Sequence, residues 1–346
     1  MVNLACIGVG GWGKNLVRTF HELSDCRVLY LCDLDPKRLE GVGHAYPDTQ
    51  QTTSFEEVIA DKRVEGVVIA TTASEHYRLA KQALLAGKHT FVEKPMTLKS
   101  RDAEELVEIA AKSGRKLMVG HLLLYHPGIV RLKELIDSGE LGEIYYLYSQ
   151  RINLGVIRED ENALWSFGPH DLSVMLYFLG SFPTSVSVRG KAYVRPGIED
   201  VVFVNLTFSK DRMAQLQLSW LDPHKIRMIT VVGSKKMAVF DDMENTEKLK
   251  IYDKGVYQPF FASYGESLHL KFGDITIPHL EVTEPLTMEC RHFLDCIQNK
   301  CEPKTDGRQG AAVVRILEAA QASLQKEGAS VSLTSPGKDE SKLLRS

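Results

Sequence analysis

Residues 4–20 read LACIGVGGWGKNLVRTF. A short apolar run enters a cluster of glycines, and a segment of helical character leaves it. Gly8, Gly10 and Gly13 stand in the spacing G-x-G-x-x-G, after a strand and before a helix. In such a turn the first glycine allows the tight bend and the second lets a pyrophosphate approach the backbone. The third lets helix and strand pack closely, and the helix N-terminus offers N–H groups to phosphates. Gly11 and Trp12 belong to the same loop. Asp33 lies 20 residues after Gly13, just past the next apolar run. A carboxylate there accepts hydrogen bonds from a ribose 2′-hydroxyl and repels a 2′-phosphate, so NAD is favoured over NADP. Arg38, close by, is the feature that leans towards NADP.

Outward from this loop, apolar runs at 4–9, 28–32, 66–70, 89–92 and 117–119 alternate with helix-like segments at 14–23, 55–60, 76–85 and 101–113. Leu79, Ala83 and Ala86 recur at helical spacing, as do Leu106, Ile109 and Ala110. Gly87 and Gly114 follow two of these helices, where a left-handed residue is expected. Strands buried on both faces and alternating with helices predict an α/β fold, a Rossmann-type doubly wound parallel sheet. Its fourth strand runs into Glu93-Lys94-Pro95 at the carboxyl edge, where open α/β sheets bind ligands. A lysine held there can polarise an alcohol and help move its proton. Glu93 can orient it by a charge-assisted hydrogen bond, and Pro95 can fix the turn.

After residue 120 the pattern changes. A helix at 127–137 is followed by strand-like runs at 144–152, 186–193, 201–208, 214–220, 228–232 and 236–240, with helices at 286–299 and 309–326. Consecutive strands with short turns read as a large, mostly antiparallel open sheet in an α+β domain. The expected organisation is an NAD-binding domain at 1–120, a substrate-binding and oligomerisation domain at 121–329 and a polar tail at 330–346. In the second domain Gly168-Pro169 should bring the chain round, with His170-Asp171 opening a helix and Asp171 serving its N-terminus. Mixed apolar and aromatic residues, Tyr146, Tyr148 and Trp220 among them, exceed what one core covers, so a homodimer or homotetramer is expected.

The charge balance, 42 Lys+Arg against 45 Asp+Glu in 346 residues, has no block of one sign and suggests neither nucleic acid nor a membrane surface as partner. The N-terminus lacks the features of a signal peptide and no apolar run reaches transmembrane length, so a cytoplasmic protein is expected. Cys290, Cys296 and Cys301 with His292 fit no usual zinc spacing, and no metal is expected.

Together GVGGWG, IATTASEHYRLAKQALLAGKHTFVEKP and GPHDLSVMLYFLG resemble the glucose–fructose oxidoreductase/inositol dehydrogenase/rhizopine-catabolism (Gfo/Idh/MocA) oxidoreductase family, over nearly the whole chain to about residue 328. The resemblance implies that Lys94 is catalytic, beside the nicotinamide and often before a cis proline. It implies that His170 faces the hydroxyl being oxidised, and the ordinary imidazole pKa near 6.5 suits proton transfer. Many family members have an aspartate four residues before this histidine; here it is Ser166, so the work falls on Lys94 and His170. Thr71 and His76 join the glycine loop, Asp33, Glu93 and Lys94 as cofactor-binding candidates. The segment YSQRINLGVIREDENALWSFGPHD is most similar to the branch that oxidises UDP-N-acetylamino sugars at C3 with NAD, feeding a 3-aminotransferase for lipid A or surface polysaccharide. UDP-N-acetylglucosamine is the lead substrate and its glucuronate the alternative. Tyr125, Arg151, Asn153, Ser166 and His170 are the substrate-binding candidates, with Arg151, Arg158 and Arg195 available to a glucuronate carboxylate. Other readings are a ketosugar reductase and a non-catalytic NAD-binding regulator.

Overall fold

The computed structural model describes residues 1–257, 268–281 and 283–334. They form two compact units, one built from Met1–Tyr125 with Thr283–Arg315 and the other from 126–281 with 316–334. The first unit therefore ends near the expected boundary but reclaims residues 283–315 from the second half of the sequence.

In the first unit β1 (Val2–Ile7), α1 (Gly13–Glu22), β2 (Cys26–Cys32), α2 (Pro36–Gly43), β3 (Gln50–Thr52), α3 (Phe55–Ala60), β4 (Gly66–Ile69), α4 (Ala73–Leu85), β5 (His89–Glu93), α5 (Ser100–Ser113) and β6 (Leu117–Gly120) alternate as expected. All pairings are parallel and the order is β3-β2-β1-β4-β5-β6. The strand order reverses direction between β1 and β4, which is where a doubly wound sheet opens its ligand crevice. Strands β1, β4 and β6 are almost wholly buried, and only Asn3 of β1 interrupts their apolar runs, as sheets covered on both faces require. Helix α2 and strand β3 escaped the sequence reading because α2 carries two glycines and β3, QQT, has no apolar residue. Helix α8 (Pro285–Gln298) covers one face of this sheet, with the ring of Phe293 packed edge-on against Phe20 and Phe91.

The second unit holds α6 (Pro127–Asp137), β7 (Ile144–Ile152), α7 (Ala163–Leu179), β8 (Ser185–Lys191), β9 (Val201–Thr207), β10 (Met213–Ser219), β11 (Ile226–Gly233), β12 (Met237–Asp241), β13 (Leu249–Tyr257) and β14 (His269–Thr276). Helix α9 (Gly307–Gln325) is divided between the units, and β15 (Val331–Ser332) returns to the second sheet. The sheet order is β14-β13-β12-β11-β7-β10-β9-β8-β15, antiparallel except for the β10–β7 pair. Strand β15 pairs with β8, so the expected polar tail begins as an edge strand; 335–346 lie outside the described residues. Trp220, expected among the partly uncovered aromatics, is instead buried in the core. Among the described residues no helix is long and apolar enough to cross a membrane.

Candidate active site

The glycine loop connects β1 to α1 at the carboxyl edge of the first sheet. Gly8 has φ +84°, and a Cβ there would lie 2.8 Å from the carbonyl of Ala70; at Gly13 it would lie 1.8 Å from the carbonyl oxygen of Gly8. These two glycines let the loop fold down onto β4. Gly11 faces open space and Gly10 meets only the tip of Arg38 at 3.4 Å, so a bulky anion can reach the loop backbone. Helix α1 has no side-chain cap at its N-terminus. The loop thus fits a dinucleotide pyrophosphate.

Asp33 closes the loop from the end of β2. One carboxylate oxygen accepts from the backbone N–H of Val9 at 2.9 Å and the other from that of Asp35 at 3.0 Å. Each oxygen keeps a further lone pair for a ribose hydroxyl. Arg38 is exposed and pairs with Asp35 at 3.5 Å.

The end of β5 is tied to the same loop. The indole N–H of Trp12 donates to Glu93 at 2.7 Å, and the backbone N–H of Lys94 donates to its other oxygen at 3.2 Å. Burial raises the Glu93 pKa, with Trp12 and Lys94 opposing. The Lys94–Pro95 peptide is cis, as the resemblance implied. His76, buried in α4, lies between the carbonyl oxygens of Pro95 at 2.8 Å and Thr71 at 3.1 Å. Burial lowers its pKa, and a neutral ring has one N–H, so one of these contacts carries the bond. His76 thereby braces the turn after Lys94 against the end of β4. The cofactor candidates Gly8, Gly10, Gly11, Trp12, Gly13, Asp33, Thr71, His76, Glu93 and Lys94 all lie at this one edge. His121, just past β6, joins them without having been read from the sequence. It is fully buried, and burial with Lys94 nearby holds its pKa down to about 3. A histidine inside VGHLLLY carries no local signal that marks it as buried beside a lysine.

Tyr125 is less open than expected. Its hydroxyl shares a hydrogen bond with Thr305 at 3.2 Å, the ammonium of Lys304 lies 5.5 Å from its ring centre, and burial raises its pKa strongly. His126 caps α6 by accepting from the N–H of Gly128 at 3.0 Å.

In the second unit the expected helix start at His170-Asp171 is displaced. Helix α7 begins at Ala163, capped by Asn162, whose side chain accepts from the N–H of Trp165 at 3.2 Å, and Pro169 lies inside it. Gly168-Pro169 looked like a turn, but the strong cap and an almost wholly buried apolar run outweigh the one hydrogen bond that proline removes. Asp171 is therefore no cap. It is buried in a two-pronged ion pair with Arg151 of β7, at 2.5 Å and 3.3 Å. This pair occupies the arginine that had been available for a substrate carboxylate. Arg158 and Arg195 also have partners, Glu161 at 3.0 Å and Glu159 at 2.7 Å. Ser166 and His170 share a face of α7 one turn apart.

A pocket of about 510 Å³ in this unit is lined by Asn153, Ser166, Phe167, Trp220, Lys225 and Arg227, among others. Arg227 donates to the carbonyls of Ile152 at 2.9 Å and Ile226 at 2.8 Å and to the side chain of Asn153, and lies 5.0 Å from the Phe167 ring centre. All these acceptors are neutral. Burial, with Arg151 adding to it, lowers its pKa to about 10. Arg227 was missed because a lone arginine in a strand reads as a surface residue.

A model of the oxidoreductase family with an NAD-binding Rossmann fold, Gfo/Idh/MocA, matches residues 2–121, and one of the Gfo/Idh/MocA C-terminal domain matches 129–239. The chain belongs to this family. Its first unit is an NAD-binding Rossmann fold. The 2,7-anhydro-N-acetylneuraminate hydratase of Mediterraneibacter gnavus is 27% identical over 230 residues, 62% of this chain and 61% of that protein. An uncharacterised oxidoreductase of Streptococcus pneumoniae is matched over 62% of its length, so the chain spans about three-fifths of these curated relatives. Among solved structures, an oxidoreductase from Magnetospirillum magnetotacticum is 30% identical with a TM-score of 0.77, covering 92% of this chain and 99% of that one. The UDP-N-acetylglucosamine 3-dehydrogenase of Acidithiobacillus ferrooxidans, at 23% identity, shares the fold with a TM-score of 0.79, covering 94% of this chain and 98% of that one.

Proposed function

We propose that this protein oxidises the C3 hydroxyl of a UDP-N-acetylamino sugar, UDP-N-acetylglucosamine foremost, to the 3-keto sugar with NAD. The product would pass to a 3-aminotransferase in lipid A or surface polysaccharide synthesis. The observation that carries this is Lys94, held at the carboxyl edge between buried Glu93 and Pro95 and linked through Trp12 to the glycine loop. The choice of sugar is supported by the resemblance of residues 148–171 to the C3 branch and by the shared fold with the Acidithiobacillus 3-dehydrogenase.

NAD, when bound, supplies the hydride acceptor. Gly8–Gly13 and Asp33 would hold its pyrophosphate and ribose. Lys94 hydrogen bonds and polarises the sugar hydroxyl, and His170 accepts its proton, because Ser166 has no carboxylate to serve as a base. The test is incubation with NAD and a panel of UDP-sugars, following NADH absorbance and a product lighter by two hydrogens. Lys94→Ala and His170→Ala should each lower kcat by about 10²–10⁴, the usual contribution of a positioned acid or base, with NAD affinity retained. No NADH with any UDP-sugar would refute the reading.

The glucuronate form is a second candidate, favoured by Arg227, whose hydrogen-bond acceptors among the described residues are all neutral, and by Lys225 in the same pocket. A UDP-N-acetylglucosaminuronate preference that is lost in Arg227→Met would select it.

A further inference from the structure

Helix α8 carries a glutamate, Glu289, that the first unit buries completely. Neither of its carboxyl oxygens has a hydrogen-bond partner among the described residues. The packing of α8 says what this side chain faces. Gln298 at the end of α8 donates to Asp25, just before β2, at 3.2 Å, while Glu284 at its start pairs with Arg18 of α1 at 2.6 Å. Helix α8 therefore runs antiparallel to the strands, its start towards the carboxyl edge. Phe293 meets Phe91 of β5 with ring centres 5.7 Å apart. Glu289 stands one turn before Phe293 on the same helix face, and Glu93 stands two residues after Phe91 on the same strand face. Four helix residues advance about 6 Å and two strand residues about 6.6 Å. The two glutamates accordingly face one another at the carboxyl edge, beside Lys94.

They are unequally served. Glu93 accepts from Trp12 at 2.7 Å and from the Lys94 backbone at 3.2 Å, whereas Glu289 receives no donor from the described residues. Two carboxylates facing each other away from water cannot both ionise. We propose that Glu93 and Glu289 form a carboxyl pair holding one proton, carried by Glu289. Glu93 then remains the anion that fixes Trp12 on the glycine loop and the backbone of Lys94, and Glu289 is a positioning residue acting through it.

The surrounding groups agree. Burial, and then the charge of Glu93, hold Glu289 well above the ordinary carboxylate range. Tyr125 and the thiols of Cys6, Cys26 and Cys290 are all raised by burial, and His121 is held down to about 3, so all are neutral near pH 7. The charge of Lys94 favours the ionised form of Glu93. The pair does not rest on any particular sugar, nor on the proposed oxidation.

Infrared spectroscopy of the whole protein at neutral pH tests it. The C=O stretch of a protonated carboxyl should be present in the wild type, absent from Glu289→Gln and retained in Glu93→Gln. Glu289→Gln, which keeps the shape of the neutral acid and can donate to Glu93, should bind NAD within twofold of the wild type. Glutamate labelled with ¹³C at the side-chain carboxyl gives the reading without a substitution: one glutamate should stay at the protonated shift through neutral pH. A wild type in which every glutamate is ionised, or a Glu289→Gln protein with the band unchanged, would overturn the proposal.

Discussion

Asp33 shows how one side chain can be both structural and selective. Its two bonds to the Val9 and Asp35 amides aim the carboxylate and leave lone pairs facing the cofactor crevice. NAD should therefore bind at least tenfold more tightly than NADP, a difference of about 1.4 kcal/mol or more, and Asp33→Ser should narrow the gap; equal affinities in a titration would contradict this. His121 makes a second prediction. Its pKa is about 3 in the folded protein against about 6.5 unfolded. Below pH 6.5 the unfolded chain therefore binds the proton first, and stability falls as pH drops towards 3. The loss should be about 2 kcal/mol by pH 5. Denaturant unfolding at pH 7 and pH 5 should show His121→Phe losing less by about that amount; an unchanged loss would mean that the histidine is not held neutral. Asp33 was legible because its distance from a glycine motif has one meaning. His121 was not, since its environment is made by β6, η1 (Leu122–Tyr125) and Lys94 meeting in space.

At the scale of elements, legibility followed how local the determining forces are. Parallel strands such as GVVI and the amphipathic helices α4 and α5 announce themselves, because burial on both faces or along one stripe is written in consecutive residues. Helix α7 did not, since Gly168-Pro169 is a breaker by propensity and only packing reverses it: the Cβ direction of Gly168 is met by Leu317 at 3.2 Å and Leu164 at 3.5 Å. The same misreading hid the Arg151–Asp171 pair, which ties β7 to α7. Both partners are buried, so removing one strands the other charge. Asp171→Ala should cost about 3–5 kcal/mol of stability, whereas Arg151→Met with Asp171→Leu should recover most of it. Chemical denaturation of the two variants checks this; a single substitution as mild as the double one would show that the pair is well hydrated.

At the scale of the whole molecule, the second sheet has a face that no described helix of its own unit packs against. Helices α6 and α7 pack on the side that carries Leu147, Ser149 and Arg151 of β7. The alternate residues point the other way, and the register sets Tyr146 beside Met213, Tyr148 beside Gln215 and Gln217 beside Phe203. Tyr146 and Tyr148 stack at 6.4 Å, and Tyr146, Phe203 and Met213 are 41%, 41% and 58% exposed. Nine strands make a face about 40 Å wide, and strands of this length about 25 Å high. That is room for the roughly 800 Å² per partner of a stable interface. Aromatic residues and methionine amid neutral glutamines, with few charges, are what such an interface contains. A homodimer or homotetramer through this face is therefore expected. Tyr146→Glu with Met213→Glu would set two like charges side by side where they meet solvent in the single chain but would be enclosed in the assembly. This variant should keep its thermal unfolding and circular dichroism yet scatter light as a monomer. A wild type that is already monomeric at micromolar concentration, or a double variant that still assembles, would exclude this face as the interface.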